Sequence, residues 1–192
     1  VIMAAGAAGS NALTGVVPVI VNNSTIIAEV ENGTKTSHSR ITAGDSIGII
    51  AAADSDIYII AGGLAAAGAN AAGASINTAI LKNDIQAHAG TWTELMTTAI
   101  PAVQTSSNGI RIPNRNERRR GIIIFANGNE DVIMVSVSAG AGGSNAITGV
   151  INTLVVRNTV KATSREHVTI SVKKAAGSST NDTDPLPGVY IE

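Results

Sequence analysis

The chain has 192 residues, a formal net charge of −1 and no cysteine. The balanced charge argues against general nucleic-acid binding, and the lack of cysteine excludes disulfide scaffolds, thiolate metal sites and cysteine nucleophiles. Aromatic residues make up only 2% of the sequence, whereas 25 Ile and 17 Val stand against 6 Leu, an excess of β-branched residues that favours strands over helices.

Three copies of one sequence pattern follow one another along the chain. Residues 46–89 align without a gap on residues 121–164, an offset of 75. The agreement is densest where Ile76-Asn77-Thr78 meets Ile151-Asn152-Thr153. A partial copy occupies about residues 1–30. Self-similarity at a fixed offset indicates a repeat architecture, and we predict a repeat protein.

The partial first copy matches the third copy in two places. Val1-Ile2-Met3 matches Val132-Ile133-Met134, and Ser10–Val16 matches Ser144–Val150. Three residues are missing between the two matches. The first copy is therefore expected to repeat the structure of the third with a small deletion.

Within a copy, apolar runs of strand length alternate with residues typical of turns. Strands are predicted in the second copy at 47–52, 57–60, 76–81 and 85–89, and in the third at 121–126, 132–137, 151–156 and 160–163. Turns are predicted at Asp54-Ser55-Asp56 and Lys82-Asn83-Asp84, and at 127–131 and 157–159 in the third copy. Near-continuous Ile/Val runs favour parallel strands. We predict an all-β parallel β-helix solenoid, with each repeat unit forming about three turns of the coil.

Two segments differ from the repeat. Residues 90–120 hold the single tryptophan and an arginine-rich stretch, and are predicted to form one longer loop insertion on the solenoid of residues 1–174. Residues 175–192 begin with small and polar residues and are predicted to be a polar tail or linker.

A resemblance to a known family follows from these residues. The order ITAGDSIGIIAAADSDIYIIAGGLAAAGANAAGASINTAILKNDIQAHA at 41–89, with RRRGIIIFANGNEDV at 118–132, resembles the repetitive passenger of large bacterial surface adhesins. The chain is most similar to leukotoxin-like filamentous adhesins of the filamentous-haemagglutinin and autotransporter class. The resemblance implies a right-handed parallel β-helix that is secreted, displayed on the bacterial cell surface and used for adhesion rather than catalysis.

The candidate binding residues lie in the insertion. An arginine cluster can hold sulfated glycans, phosphates or nucleic acid, or can be a solvated turn. A tryptophan can offer a platform to a ligand or cap the solenoid. The possible ligand-binding residues are Trp92, Arg111, Arg115, Arg118, Arg119 and Arg120. Expected partners are surface glycans or proteins, neighbouring coils, and further copies of the chain. No catalytic residue, cofactor or metal ligand is predicted, and His38, His88 and His167 are interpreted as exposed residues of the repeat.

Four alternatives remain open from the sequence. Asp54 and Asp56 would share one strand face if extended, as in a β-helix polysaccharide lyase or hydrolase, or could contribute to a calcium site. The uncharged windows 57–81 and 132–156 are long enough for membrane helices, although they contain polar residues and little Leu. The chain could also be the subunit of an extracellular filament, stacking end to end.

Overall fold

A computed structural model of the chain describes residues 1–100, 109–115, 117–174 and 188–192. This part of the chain consists of thirteen strands joined by turns, and it contains no helix. The strands are β1 (Ile2–Ala8), β2 (Asn11–Val16), β3 (Val19–Val30), β4 (Ser39–Ala43), β5 (Ile47–Ala67), β6 (Asn70–Ala89), β7 (Thr93–Ile100), β8 (Ile110–Arg111), β9 (Arg118–Arg119), β10 (Gly121–Gly142), β11 (Asn145–Ser164), β12 (Thr169–Lys174) and β13 (Gly188–Ile191). The all-β prediction is confirmed.

The strands form parallel sheets, as the Ile/Val-rich runs predicted. One sheet has the order β1-β5-β10-β13, a second has β11-β6-β2 with β3 also on β6, and a third has β12-β7-β4. The short hairpin of β8 and β9 is antiparallel. Strands β5 and β6, which follow each other in the chain, therefore lie in different sheets and pair with strands of other copies.

Equivalent residues of successive copies are neighbours in these sheets. Ile2 pairs with Ala61 and Asn11 with Asn70, so the first and second copies are related by an offset of 59. Glu94 pairs with Thr169, which reproduces the offset of 75 in the sequence alignment. The pairing of Ile2 with Ala61 means that the match of residues 1–3 to 132–134 was wrong by three positions.

The predicted turns at Asp54-Ser55-Asp56 and Lys82-Asn83-Asp84 do not occur, because they lie inside β5 and β6. The corresponding residues of the third copy lie inside β10 and β11. The polar residues do not interrupt β5, since Asp54 and Asp56 point to the solvent-exposed face. The chain bends instead at Gly68-Ala69 and Gly143-Ser144. The parallel neighbours of β1, β2 and β12 are 59 or 75 residues away in the chain, which is one whole repeat unit. Three turns per unit would pair residues within the same unit, so that prediction was wrong.

The chain divides into two compact units. The first unit comprises residues 1–24, 54–82 and 129–157. Its core is small: Ile59, Ala79 and Leu81 are buried, with partly buried aliphatic side chains around them. Alternate residues of β6 are buried, so the interior of this unit also contains Ser75 and Asn77, both 0% exposed.

The second unit comprises residues 25–53, 83–128 and 158–192 and has the larger core. Ten buried residues form this core: Ile47, Ile49, Ala51, Ile85, Ala87, Ala89, Leu95, Ile122, Ile124 and Ala126.

No helix in the described part of the chain is long and apolar enough to cross a membrane. The uncharged windows 57–81 and 132–156 are strand residues with a bend between the strands, and not membrane helices.

The insertion is shorter than predicted. Strand β7 lies within the predicted insertion, yet it pairs with β4 and β12 and is part of the repeat. Arg40 of β4 pairs with Glu94 of β7, an offset of 54 residues. The next equivalent positions along the chain, Ser46 and Gly121, are 75 residues apart. The additional residues therefore lie between β7 and β10. The β8–β9 hairpin packs Ile112 against Ile123 and Phe125. It therefore covers part of an outward-facing strand surface.

The predicted polar tail at 175–192 also differs in part from the structure. Its last residues form β13, which pairs in parallel with the start of β10, and Gly188 lies opposite Gly121. Gly121 has φ of 101°, and a Cβ there would lie 2.2 Å from the carbonyl oxygen of Gly188. This close approach requires glycine at position 121. Residues 175–187 lie outside the described part of the chain.

Candidate functional site

A cluster of three rings lies at the corner between β6 and β7 in the second unit. The ring of Trp92 lies 3.9 Å from that of His167 at an interplanar angle of 10°, and 5.7 Å from that of His38 at 33°. Trp92 and His167 occupy equivalent positions of successive copies, and both have a left-handed backbone, with φ of 55° and 56°. Because β7 lies between β4 and β12, the two histidines flank the indole from the neighbouring copies. One flat face of Trp92 is therefore covered by His167, and the tilted ring of His38 lies on the side of the other neighbouring copy.

Glu94 contacts an imidazole and a guanidinium beside these rings. Its Oε1 lies 2.8 Å from Nδ1 of His38, and its Oε2 accepts a hydrogen bond of 2.6 Å from Nε of Arg40. The hydrogen bonds from Arg40 and then from His38 hold the pKa of Glu94 below its ordinary value of 4.5. The same three residues line an open pocket together with Lys35 and Thr36. Lys35 and Arg40 would favour an anionic group in this pocket, whereas the carboxylate of Glu94 would oppose one.

The arginine-rich stretch forms ion pairs with glutamates. Arg115 lies 2.6 Å from Glu192 and 3.4 Å from Glu117. Arg119 contacts the same two glutamates and lies over the ring of Tyr190, 4.5 Å from its centre. Burial lowers the pKa of Arg119, but the hydrogen bonds and charges of Glu192 and Glu117 outweigh this effect and raise it. These contacts attach β13 to the hairpin.

The remaining predicted arginines differ in their accessibility. Arg111 and Arg118 are exposed, and Arg118 donates a 2.8 Å hydrogen bond to the carbonyl oxygen of Gly109. Arg120 is only 3% exposed and lies 2.5 Å from Asp45. It is therefore not available to an external ligand, which corrects the prediction for that residue. Ligand binding by the other arginines and by Trp92 remains a prediction.

The candidate acids and histidines also have defined neighbours. Asp54 and Asp56 share the exposed face of β5, as predicted for extended backbone, and Asp54 accepts a 3.0 Å hydrogen bond from Asn129. His88 is 4% exposed and lies 2.7 Å from Glu29, so its interpretation as an exposed residue was wrong. Among the described residues, no group of three or more His, Cys, Asp or Glu is arranged to hold a metal ion.

The asparagines of the repeat form contacts that the sequence reasoning missed. Asn70 donates a 2.8 Å hydrogen bond to Asn11, and Asn145 donates one of 2.8 Å to Asn70. In the interior, Asn77 donates to Ser136 at 2.6 Å. Ser136 in turn donates to Asn152. The alignment at offset 75 contained the signal, because it matched Asn70 to Asn145.

The same offset also connects residues just outside the aligned blocks. Three positions beyond the C-terminal end of the aligned blocks, Trp92 is matched to His167. One position before their N-terminal end, Asp45 is matched to Arg120. Both pairs are contacts in the structure.

Comparisons of the chain with family models, with curated protein sequences and with solved structures give no match.

Proposed function

We propose that the chain is a stiff segment of a parallel β-solenoid, right-handed as the resemblance implies, that serves as the structural and adhesive part of a secreted or cell-surface filamentous adhesin. In this proposal each copy contributes one layer of the solenoid. The supporting observation is that equivalent residues of three copies are hydrogen-bonded neighbours, as in the series Asn11, Asn70 and Asn145. Stacked layers of this kind bury the apolar side of each copy against the next.

The adhesive role is supported by an apolar surface that faces outward from the middle copy. Tyr58 is 62% exposed, Ile60 41% and Leu64 40%, although the copies on both sides are present. Around Leu64 the surface is lined by small side chains of β1, β5 and β10. Exposed apolar surface on a folded chain commonly marks an interaction site. A partner with apolar surface could bind there, while the exposed Arg111 would suit an anionic glycan.

The layered arrangement is tested by engineered disulfides, since the chain has no cysteine. Thr78 and Thr153 face outward on β6 and β11 at equivalent positions of the second and third copies, so Thr78→Cys with Thr153→Cys should crosslink within one chain under mild oxidation. Adjacent parallel strands lie about 4.8 Å apart, within reach of a disulfide. The matched control, Thr78→Cys with Arg157→Cys, is displaced by four positions, or about 13 Å along the strand. Equal crosslinking of both pairs would overturn the proposed register.

The adhesive role is tested with beads that carry the folded chain, applied to cultured epithelial cells. Tyr58→Ser with Leu64→Ser should lower the number of bound beads at least about threefold if the apolar surface makes the contact. Arg111→Glu should do so if an anionic glycan is bound. Lys82→Ser, an exposed change on β6, is the matched control and should have no effect. Binding no greater than that of albumin-coated beads would refute the adhesive role.

A further inference from the structure

Interior positions become exposed in the third copy of the first unit. Leu81 and Ala79 of the second copy are 0% exposed. Their equivalents at offset 75, Val156 and Leu154, are 45% and 48% exposed. The same side of the strand is therefore buried in β6 of the second copy and exposed to solvent in β11 of the third. The reason is that no strand pairs with the outer edge of β11 in the described structure.

The first copy has a similar open side. Ile2 is 51% exposed, whereas its neighbour Ala61 in the second copy is 1% exposed. On β2, Leu13 is 82% exposed. Strands β1 and β2 stand at the edges of their sheets, so their outer backbone N–H and C=O groups face away from the protein. The first unit thus presents apolar side chains and free strand edges on two opposite copies.

The asparagine series gives these two edges opposite hydrogen-bonding character. Asn145 donates from Nδ2 to Oδ1 of Asn70, and Asn70 donates from Nδ2 to Oδ1 of Asn11. All three amides therefore point the same way. Within the described part of the chain, Nδ2 of Asn11 is left as the donor on the first copy, and Oδ1 of Asn145 is left as the acceptor on the third.

We propose that the occupant of both edges is a second copy of this chain, with β2 of one molecule pairing in parallel with β11 of the next. In this arrangement Nδ2 of Asn11 donates to Oδ1 of Asn145 across the interface. This register places Leu13 beside Ile147 and Val16 beside Val150. It also places Ser10–Val16 on the matching segment 144–150, whose sequence differs only by Ile in place of Leu.

The two edges are different surfaces, so the contact is heterologous and leaves a free edge at each end of the assembly. Such a contact produces open chains of molecules rather than a closed dimer. The inference rests on the proposed layered architecture and explains how the filament considered from the sequence would be built. Backbone pairing of two exposed edges supplies the contact, and burial of the apolar side chains on both edges favours it.

The interface is tested by blocking each edge separately. Leu13→Asp and Ile147→Asp place a charge at positions that are 82% and 70% exposed, so neither should disturb the fold, which circular dichroism would check. By sedimentation velocity, the wild-type chain should form species larger than dimers as its concentration rises. Each variant alone should remain monomeric to at least about tenfold higher concentration. Ile60→Asp, on the middle copy, is the control and should associate like wild type.

A mixture of the two blocked variants gives the sharpest test. Ile147→Asp retains a free first-copy edge and Leu13→Asp retains a free third-copy edge, so the mixture should form dimers and nothing larger. If each variant instead dimerises alone, the contact joins like edges and the proposed pairing is wrong. Loss of association in Ile60→Asp would place the contact on the outward face and also overturn it. A wild-type chain that stays monomeric while the Thr78–Thr153 crosslink forms would refute self-association and leave the layered architecture intact.

Discussion

The contrast between Leu81 and Val156 leads to a quantitative prediction about stability. Leu81 is 0% exposed and packs in the small core with Ile59 and Ala79. Truncating a fully buried leucine to alanine costs about 2–5 kcal/mol, because apolar contacts are lost and a cavity remains. Leu81→Ala should therefore strongly destabilise the chain. For a domain of this length, where 1 kcal/mol corresponds to roughly 2–4 °C, the melting temperature should fall by roughly 5–15 °C.

Val156→Ala is the matched variant at the equivalent position of the third copy. The substitution removes two methyl groups, and each buried carbon contributes about 0.8 kcal/mol. Since Val156 is 45% exposed, the free energy of unfolding should fall by only about half of that sum, or roughly 0.5–1 kcal/mol. The expected decrease in melting temperature is therefore only a few degrees, several times smaller than for Leu81→Ala.

Thermal unfolding followed by circular dichroism checks both variants, at a chain concentration where the protein is monomeric. Urea unfolding should show the same order in the midpoint concentrations with an unchanged slope. Equal destabilisation by the two variants would refute the reasoning, because it would mean that the interior side of the third copy is as well covered as that of the second. At concentrations that favour self-association, the cost of Val156→Ala should rise.

Two further predictions concern the second unit. Gly121→Ala places a Cβ 2.2 Å from the carbonyl oxygen of Gly188 in a left-handed backbone, so the pairing of β13 with β10 should weaken. Hydrogen–deuterium exchange of the backbone amides of residues 188–192 should become faster. Unchanged protection of these amides would contradict the glycine requirement. The pKa of Glu94 is lowered by Arg40 and His38, so its stabilising contribution is complete above the ordinary value of 4.5 and is lost as the pH falls through the lowered value. Wild type and Glu94→Gln should therefore differ in stability at pH 6 and converge in acid; a constant difference across that range would contradict the linkage.

The repeat and its register were accessible from the sequence, whereas the boundaries of the strands were not. The offset of 75 predicted which residues are neighbours, because a stacked parallel arrangement places identical positions side by side. The predicted turn at Asp54-Ser55-Asp56 failed for a reason specific to its spacing. The two carboxylates are separated by one residue, so both face solvent from a continuous strand and neither needs a turn to remain hydrated.

The roles of the arginines could not be read from local sequence. Arg115 and Arg119 both pair with Glu192, which is distant in the sequence and belongs to the segment predicted to be a tail. A cluster of positive charge therefore suggested a ligand, although the structure supplies part of the counter-charge from a distant strand. Arg120 differs, because its partner Asp45 lies at the repeat offset and could have been found by extending the alignment.

Polar side chains that hydrogen-bond between copies explain how a repeat with so few large side chains fixes its register. Side chains between Ala61 and Gly73 are mostly small, and a shift of two residues would keep the same faces inward, so packing alone discriminates weakly between registers. Such a shift would separate Asn70 from Asn11 and Asn145 and would remove Asn77 from Ser136. Asn77 is fully buried, and a buried amide that loses its partner costs about 1–3 kcal/mol. Hydrogen bonds between copies therefore select the register that the apolar side chains leave ambiguous, which accounts for the agreement of the copies around Asn77 and Asn152.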